Sequence, residues 1–215
     1  PALGRRGLRL CQVREDLIDT QLAALAAAHA KTKAELWVMA PMVATLEEAE
    51  WFAEKAHAAG LPKVGIMIEI PAAAIRSDQM LSVVDFASIG TNDLTQYTMA
   101  ADRMDGELAP LLNAWQPAVL QMIKFACEGG RATGKPVGVC GEAGGDPLLA
   151  LVLTGLGVAS LSMAPSKVRA VRAGLRMHDL ATCQQMAAFA VDAPTPEEGR
   201  NNVLKLVAPA MQALL

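Results

Sequence analysis

The chain has 215 residues, a net charge of −3, and 53% hydrophobic residues with only 4% aromatic. That composition suits an Ala- and Leu-rich α/β domain with a well-buried core. The slight negative charge argues against a nucleic-acid or membrane-surface role, and no apolar run approaches the ~20 residues of a membrane span.

In chain order, residues 7–11 are a short apolar segment that carries Arg9. Apolar spacing near 3.6 predicts a helix over 14–33. A strand follows at 36–40, stopped by Pro41. Thr45 and Glu48 form a capping box that opens the next helix, and Gly60 with Pro62 closes it. A strand at 64–70 is followed by a weak helix at 72–81. Residues 86–89 read as a strand ending in a loop, then a short helix that returns Arg103. A helix opens at Pro117 and stops among the glycines of 129–134. Residues 136–139 are again a strand, and Asp146-Pro147 caps the next helix with proline in its first turn. The last strand is 159–163, and Ser166 caps a basic helix. Residues 187–200 are the loosest connection, and Thr195-Pro196 opens the terminal helix.

Alternating strands and helices predict parallel β/α units. Counting segment 7–11, at most six strands can be placed.

Chemistry-bearing residues cluster where these apolar runs end. Residues 64–71 read VGIMIEIP, so a strand finishes on Glu69 and is stopped by Pro71, which has no N–H for a ladder. A carboxylate at the tip of a buried run is costly unless paired. A salt bridge would satisfy it. So would a hard cation, since Mg²⁺ takes one or two carboxylates and completes its shell with substrate oxygens and water. Residues 85–103 read DFASIGTNDLTQYTMAADR, so the next strand delivers Asn92 and Asp93, and Asp102-Arg103 follows about ten residues on. Asn-Asp also suits a turn or a helix cap. A strand's carboxyl end with Asn, Asp and Arg beyond it is where α/β folds bind small anions and metals.

The third tip, PVGVCGEAGGD at 136–146, carries Cys140 and Glu142 among glycines that allow a ligand close approach. Cys11, Cys127 and Cys183 read as inert packing residues. Without a Cys-x-x-Cys or a His-Cys cluster, zinc is not expected, and four unpatterned cysteines suit reduced thiols in a cytoplasm. His29, His57 and His178 fall in predicted helices with no motif around them, and read as surface or packing residues.

GIMIEIPAAA, SIGTNDLTQYTMAADR and GVCGEAGGD, in that order and spacing, resemble the C-terminal phosphoenolpyruvate-binding domain of Enzyme I of the bacterial sugar phosphotransferase system. GRRGLRL, WVMAPM and SLSMAPSKV extend the resemblance over essentially the whole chain, residues 1–215. More broadly it is similar to the family that includes pyruvate phosphate dikinase and phosphoenolpyruvate synthase, although TNDLTQYT followed by Asp-Arg looks more like Enzyme I. The resemblance implies a (β/α)8 TIM-type barrel. A complete eight-unit barrel takes roughly 250 residues, so this one is expected to be N-terminally truncated, with about six of eight strands present and about two units missing.

The resemblance implies a function. Glu69 and Asp93 would hold Mg²⁺, while Arg9 and Arg103 would grip the phosphoryl group of phosphoenolpyruvate. Asn92 would orient the substrate, and Cys140 would protonate the methylene carbon of enolpyruvate to give pyruvate. The phosphoryl acceptor would be a histidine of a separate N-terminal domain that is absent here. From that domain the group would pass to the histidine phosphocarrier protein. The chain would be part of a cytoplasmic homodimer, and inactive by itself. Relatives carry an arginine where this chain has Trp37, which removes a positive charge that the phosphate could use. Two rival functions are a Mg²⁺-dependent aldolase or lyase of the pyruvate-binding barrel class and a dimerisation module without catalysis.

Overall fold

The computed structural model describes residues 2–214. Two helices, α1 (Leu8–Val13) and α2 (Glu15–His29), lead into strand β1 (Trp37–Ala40). The chain then alternates through α3 (Leu46–Ala58), β2 (Lys63–Ile68), α4 (Pro71–Ile75), α5 (Ser77–Val83), β3 (Phe86–Gly90) and α6 (Thr91–Met99). Next come α7 (Pro117–Thr133), β4 (Val137–Cys140), α8 (Pro147–Leu156) and β5 (Ser160–Leu161). The last helices are α9 (Val168–Arg176), α10 (Leu180–Val191) and α11 (Pro196–Leu204). The strands form one five-stranded sheet in the order β1-β2-β3-β4-β5, with every pairing parallel. Sequential order with helical crossovers keeps all the strands' carboxyl ends on one side.

Among the described residues there are five strands, not six. Residues 8–11 fall in α1, with Gly7 as its N-cap residue, rather than in a strand. Leu8, at 1% exposure, and Cys11, three residues on, pack inward on one face of the helix while Leu10 stays 45% exposed, a helical spacing and not the alternation of a strand.

The two faces of the sheet differ. Val64, Ile66, Ile68, Ala87, Ile89, Val137 and Val139 point into the helical layer and are almost completely buried. Their neighbours along the strands point the other way, since successive side chains alternate. There Trp37 is 42% and Met39 38% exposed, and Met67 and Ser88 are half-buried. Parallel sheets are ordinarily covered on both faces, so this open face is the unusual surface of the molecule.

Several terminators follow from local chemistry. Thr45 and Glu48 make the reciprocal capping box, Asp146 accepts from the N–H groups of Leu148 and Leu149, and Thr195 caps α11. Helix α7 runs through Gly129 and Gly130 and stops only at Gly134, with φ +69°. A Cβ on Gly129 would stand 2.2 Å from Ser77 Oγ, so that glycine serves contact with α5, not helix termination. The weak helix expected at 72–81 is two helices, α4 and α5. Ser166 does not cap α9: it lies in a short 3-10 turn, and α9 starts at Val168 with no side-chain cap. The loose stretch expected from 187 is helical through Val191, because Ala187 and Ala190 are buried on the inner side of α10.

Candidate functional site

Glu69 directly follows β2, on the open face and at the carboxyl end of the sheet. It is 5% exposed. Its carboxylate lies over the backbone of Gly90 at the end of β3, where a Cβ would come within 2.6 Å of Glu69 Oε1. Only glycine permits that approach. The backbone N–H of Met42 donates to Glu69 Oε2 at 2.9 Å. Met42 adopts φ 57°, an uncommon conformation for a residue with a side chain, just after the β1 tip. Burial raises the Glu69 carboxyl above the ordinary carboxylate range. The Met42 N–H opposes this, the nearby charge of Asp93 adds to it, and Arg6 and Arg103 oppose it.

Strand β3 passes into α6 without the expected loop. Thr91 opens the helix, and Asn92 and Asp93 stand in its first turn. Asp93 meets two arginines: Arg6 Nη2 lies 3.4 Å from Oδ1, and Arg103 Nη1 lies 3.5 Å from Oδ2. Arg103 returns as expected, because α6 ends on a left-handed Ala100 and the buried side chain of Gln96 accepts the Arg103 N–H at 3.0 Å. Arg6 also reaches the Tyr97 hydroxyl at 3.4 Å, and that hydroxyl donates to the carbonyl of Ala2.

Arg9 goes elsewhere. Its Nε donates to Glu48 at 2.8 Å, and Glu48 also accepts from the N–H groups of Ala44 and Thr45, so Arg9 ties α1 to the start of α3. Of the two arginines in GRRGLRL that line the small cavity of about 130 Å³ here, the fold brings Arg6 to Asp93. Sequence reasoning passed over Arg6. Arg6 precedes α1 and its Gly7 N-cap residue, whereas Arg9 stands inside the helix, and the pattern of the sequence does not show which of them turns to Asp93.

Cys140 ends β4 in register with Gly90 and lies on the same open face as Glu69. It is half-buried, and its Sγ lies 3.4 Å from the Ile89 carbonyl. Thr91 Oγ1 bonds the Cys140 carbonyl at 3.3 Å. Beyond it Gly141, at φ +96°, lies close to Asn92, and exposed Glu142 borders an open groove of about 950 Å³ with Lys167 and Arg200. Elsewhere, burial pushes the Cys127 thiol up to about 12 and raises Cys183 as well. His57 and His178 are held by backbone groups; His178 sits in the turn after α9 instead of in a helix, with Ala208 N–H donating to its Nε2 at 3.0 Å.

Two carboxylates of like charge within electrostatic reach, one of them buried, make a site that a cation would relieve. Among the described residues no group of three or more His, Cys, Asp or Glu is placed to hold a metal ion. The two carboxylates are the kind of oxygen donor that Mg²⁺ takes. Trp37 does not belong to this site. It pairs in register with Lys63, six strand residues from Glu69, or about 20 Å at ~3.3 Å per residue.

The sequence profile of the family described as "PEP-utilising enzyme, PEP-binding domain" matches residues 1–180. The chain belongs to this family. It is 51% identical over 201 residues to a phosphoenolpyruvate-protein phosphotransferase of Streptomyces coelicolor, covering 93% of this chain and 36% of that protein. It is 45% identical over 207 residues to a multiphosphoryl transfer protein of Xanthomonas campestris, covering 93% of this chain and 24% of that protein. A phosphoenolpyruvate-protein phosphotransferase of Listeria monocytogenes is 40% identical over 210 residues, with 92% and 36% covered. The chain thus spans about a third or less of the length of these relatives. No helix among the described residues is long and apolar enough to cross a membrane.

Proposed function

We propose that this chain is the phosphoenolpyruvate-binding part of a phosphoenolpyruvate-protein phosphotransferase. The observation that carries the reading is the convergence of Glu69, Asp93, Arg6, Arg103 and Cys140 on one end of one sheet face. Arg6 and Arg103 bind the phosphoryl oxygens, because guanidinium forks match phosphate geometry. Asn92, at the opening of α6, orients the substrate. Glu69 and Asp93 are the residues that would hold Mg²⁺, whose charge offsets that of the phosphate and of the enolate oxygen. Cys140 protonates the methylene carbon once the phosphoryl group has left. A thiol suits this step, since its ordinary pKa near 8.5 keeps it protonated at neutral pH yet able to give the proton up.

In the whole protein, a histidine of another domain takes the phosphoryl group and hands it to the histidine phosphocarrier protein. Three further β/α units would cover the open sheet face and complete an eight-strand barrel. That protein would work in the cytoplasm as a homodimer. Calorimetric titration with phosphoenolpyruvate tests the reading, on this chain and on the full-length protein, with and without Mg²⁺. Mg²⁺-dependent binding to the full-length protein is expected; its absence there would refute the assignment.

A further inference from the structure

Asp93 has two jobs that compete. It is a proposed ligand of the cation, yet both of its oxygens face the arginines that the phosphoryl group needs. An oxygen cannot give the same lone pairs to a metal and to a guanidinium, and a guanidinium edge held by a carboxylate is not free for an anion. We propose that Asp93 is a coupling latch: in the free protein it holds Arg6 and Arg103, and on turning to the cation it releases both to the anion. This rests on the site assignment above and adds a regulation to it.

Three observations support a latch over a fixed ion-pair cluster. The contacts are long, at 3.4 and 3.5 Å, where firm charge-assisted bonds measure roughly 2.7–2.9 Å. The partners also differ in freedom. The Asp93 side chain is 13% exposed and fixed in the first turn of α6, whereas Arg6 is 33% and Arg103 45% exposed. Finally, each arginine has a further contact that does not involve Asp93. The Arg103 backbone is held by the Gln96 side chain at 3.0 Å, and Arg6 also touches the Tyr97 hydroxyl, at the same 3.4 Å as its Asp93 contact. Gln96 and Tyr97 stand three and four residues after Asp93, on the same side of α6. Released arginines therefore stay at the site. The consequence is reciprocal: cation and anion each tighten binding of the other, by a factor in the roughly 5- to 150-fold range usual for coupled sites.

The test uses inorganic phosphate in the presence of a chelator, so that no cation bridges to the anion. Asp93→Asn should bind phosphate about tenfold tighter than the parent chain. Glu69→Gln removes the same charge from the neighbouring carboxylate, which hydrogen-bonds neither arginine, and should gain less than about threefold. An Asp93→Asn protein that binds no tighter, or a Glu69→Gln protein that gains as much, would overturn the latch. A second measurement needs no variant. Mg²⁺ alone, added to the labelled parent chain, should shift the guanidinium NMR signals of both Arg6 and Arg103, and unmoved signals would also overturn it. Failure of the functional reading looks different: the phosphate response survives while Mg²⁺-dependent phosphoenolpyruvate binding is missing.

Discussion

The two ends of the sheet use charge in opposite ways. At the amino ends of the strands, Lys63 lies 4.0 Å above the Trp37 ring and 3.4 Å from Glu35, and Trp37 packs on Phe86 at 4.8 Å between centroids. Asp85 takes the Val64 N–H at 3.0 Å and faces Lys135 at 3.7 Å. Each of these charges has a partner, and Lys63 also has the Trp37 ring. At the carboxyl ends, Glu69 is buried with one backbone donor, beside a like charge, and two arginines share a single carboxylate at long range. The carboxyl end leaves electrostatic demand for a cation and an anion to meet.

The contrast would break if the carboxyl-end charges proved dispensable. In the full-length protein, Glu69→Ala or Asp93→Ala should lower Mg²⁺-dependent pyruvate formation by roughly 10³ or more, as expected when charge stabilisation at the reacting group is lost. Circular dichroism should show the fold intact. Normal turnover at limiting Mg²⁺ would remove that residue from the site.

Cys140→Ser should reduce pyruvate formation by at least the roughly 10² expected for losing a positioned acid, with phosphoenolpyruvate binding unchanged. Cys127→Ser and Cys183→Ser should change thermal stability at most. A catalytic loss in either would mean that the acid is misassigned.

The amino end should answer in stability alone. Phe86 is 8% exposed and its ring covers Gly65, so Phe86→Ala should cost about 3 kcal/mol in denaturant unfolding. Phosphate affinity should not move. A parallel loss of anion binding would show that the two ends are not separable.

The smallest expected effect is a pH slope. Glu69 has its folded-state carboxyl raised above the ordinary value of 4.5. Between 4.5 and the raised value the folded state holds more protons than the unfolded, so stability falls as pH rises through that window and then levels off. One proton accounts for at most ~1.4 kcal/mol per pH unit. Glu69→Gln should flatten the slope in chelator, and Mg²⁺ should offset it in the parent chain. An unchanged melting curve for Glu69→Gln across the window would place Glu69 in a less buried setting.

The sequence by itself determined the parallel β/α alternation and the tips that carry Glu69, Asp93 and Cys140, because strand periods, Pro71 and the capping residues act within a few positions of the chain. It also supplied the return of Arg103, since a nine-residue helix with a turn brings residue 103 back to residue 93. Only the tertiary structure decided which arginine meets Asp93. Arg6 lies before Gly7, at φ 54°, and Arg9 lies inside α1, so the backbone turn at Gly7 separates two side chains that one continuous helix would place on the same face. It also settled Trp37, whose place in the parallel register puts it at the far end of β1 from Glu69. The fit of Glu69 over Gly90 was likewise invisible in sequence, because contacts across strands depend on register, and register is set by the burial of Val64, Ile66, Ile68 and Ile89 together.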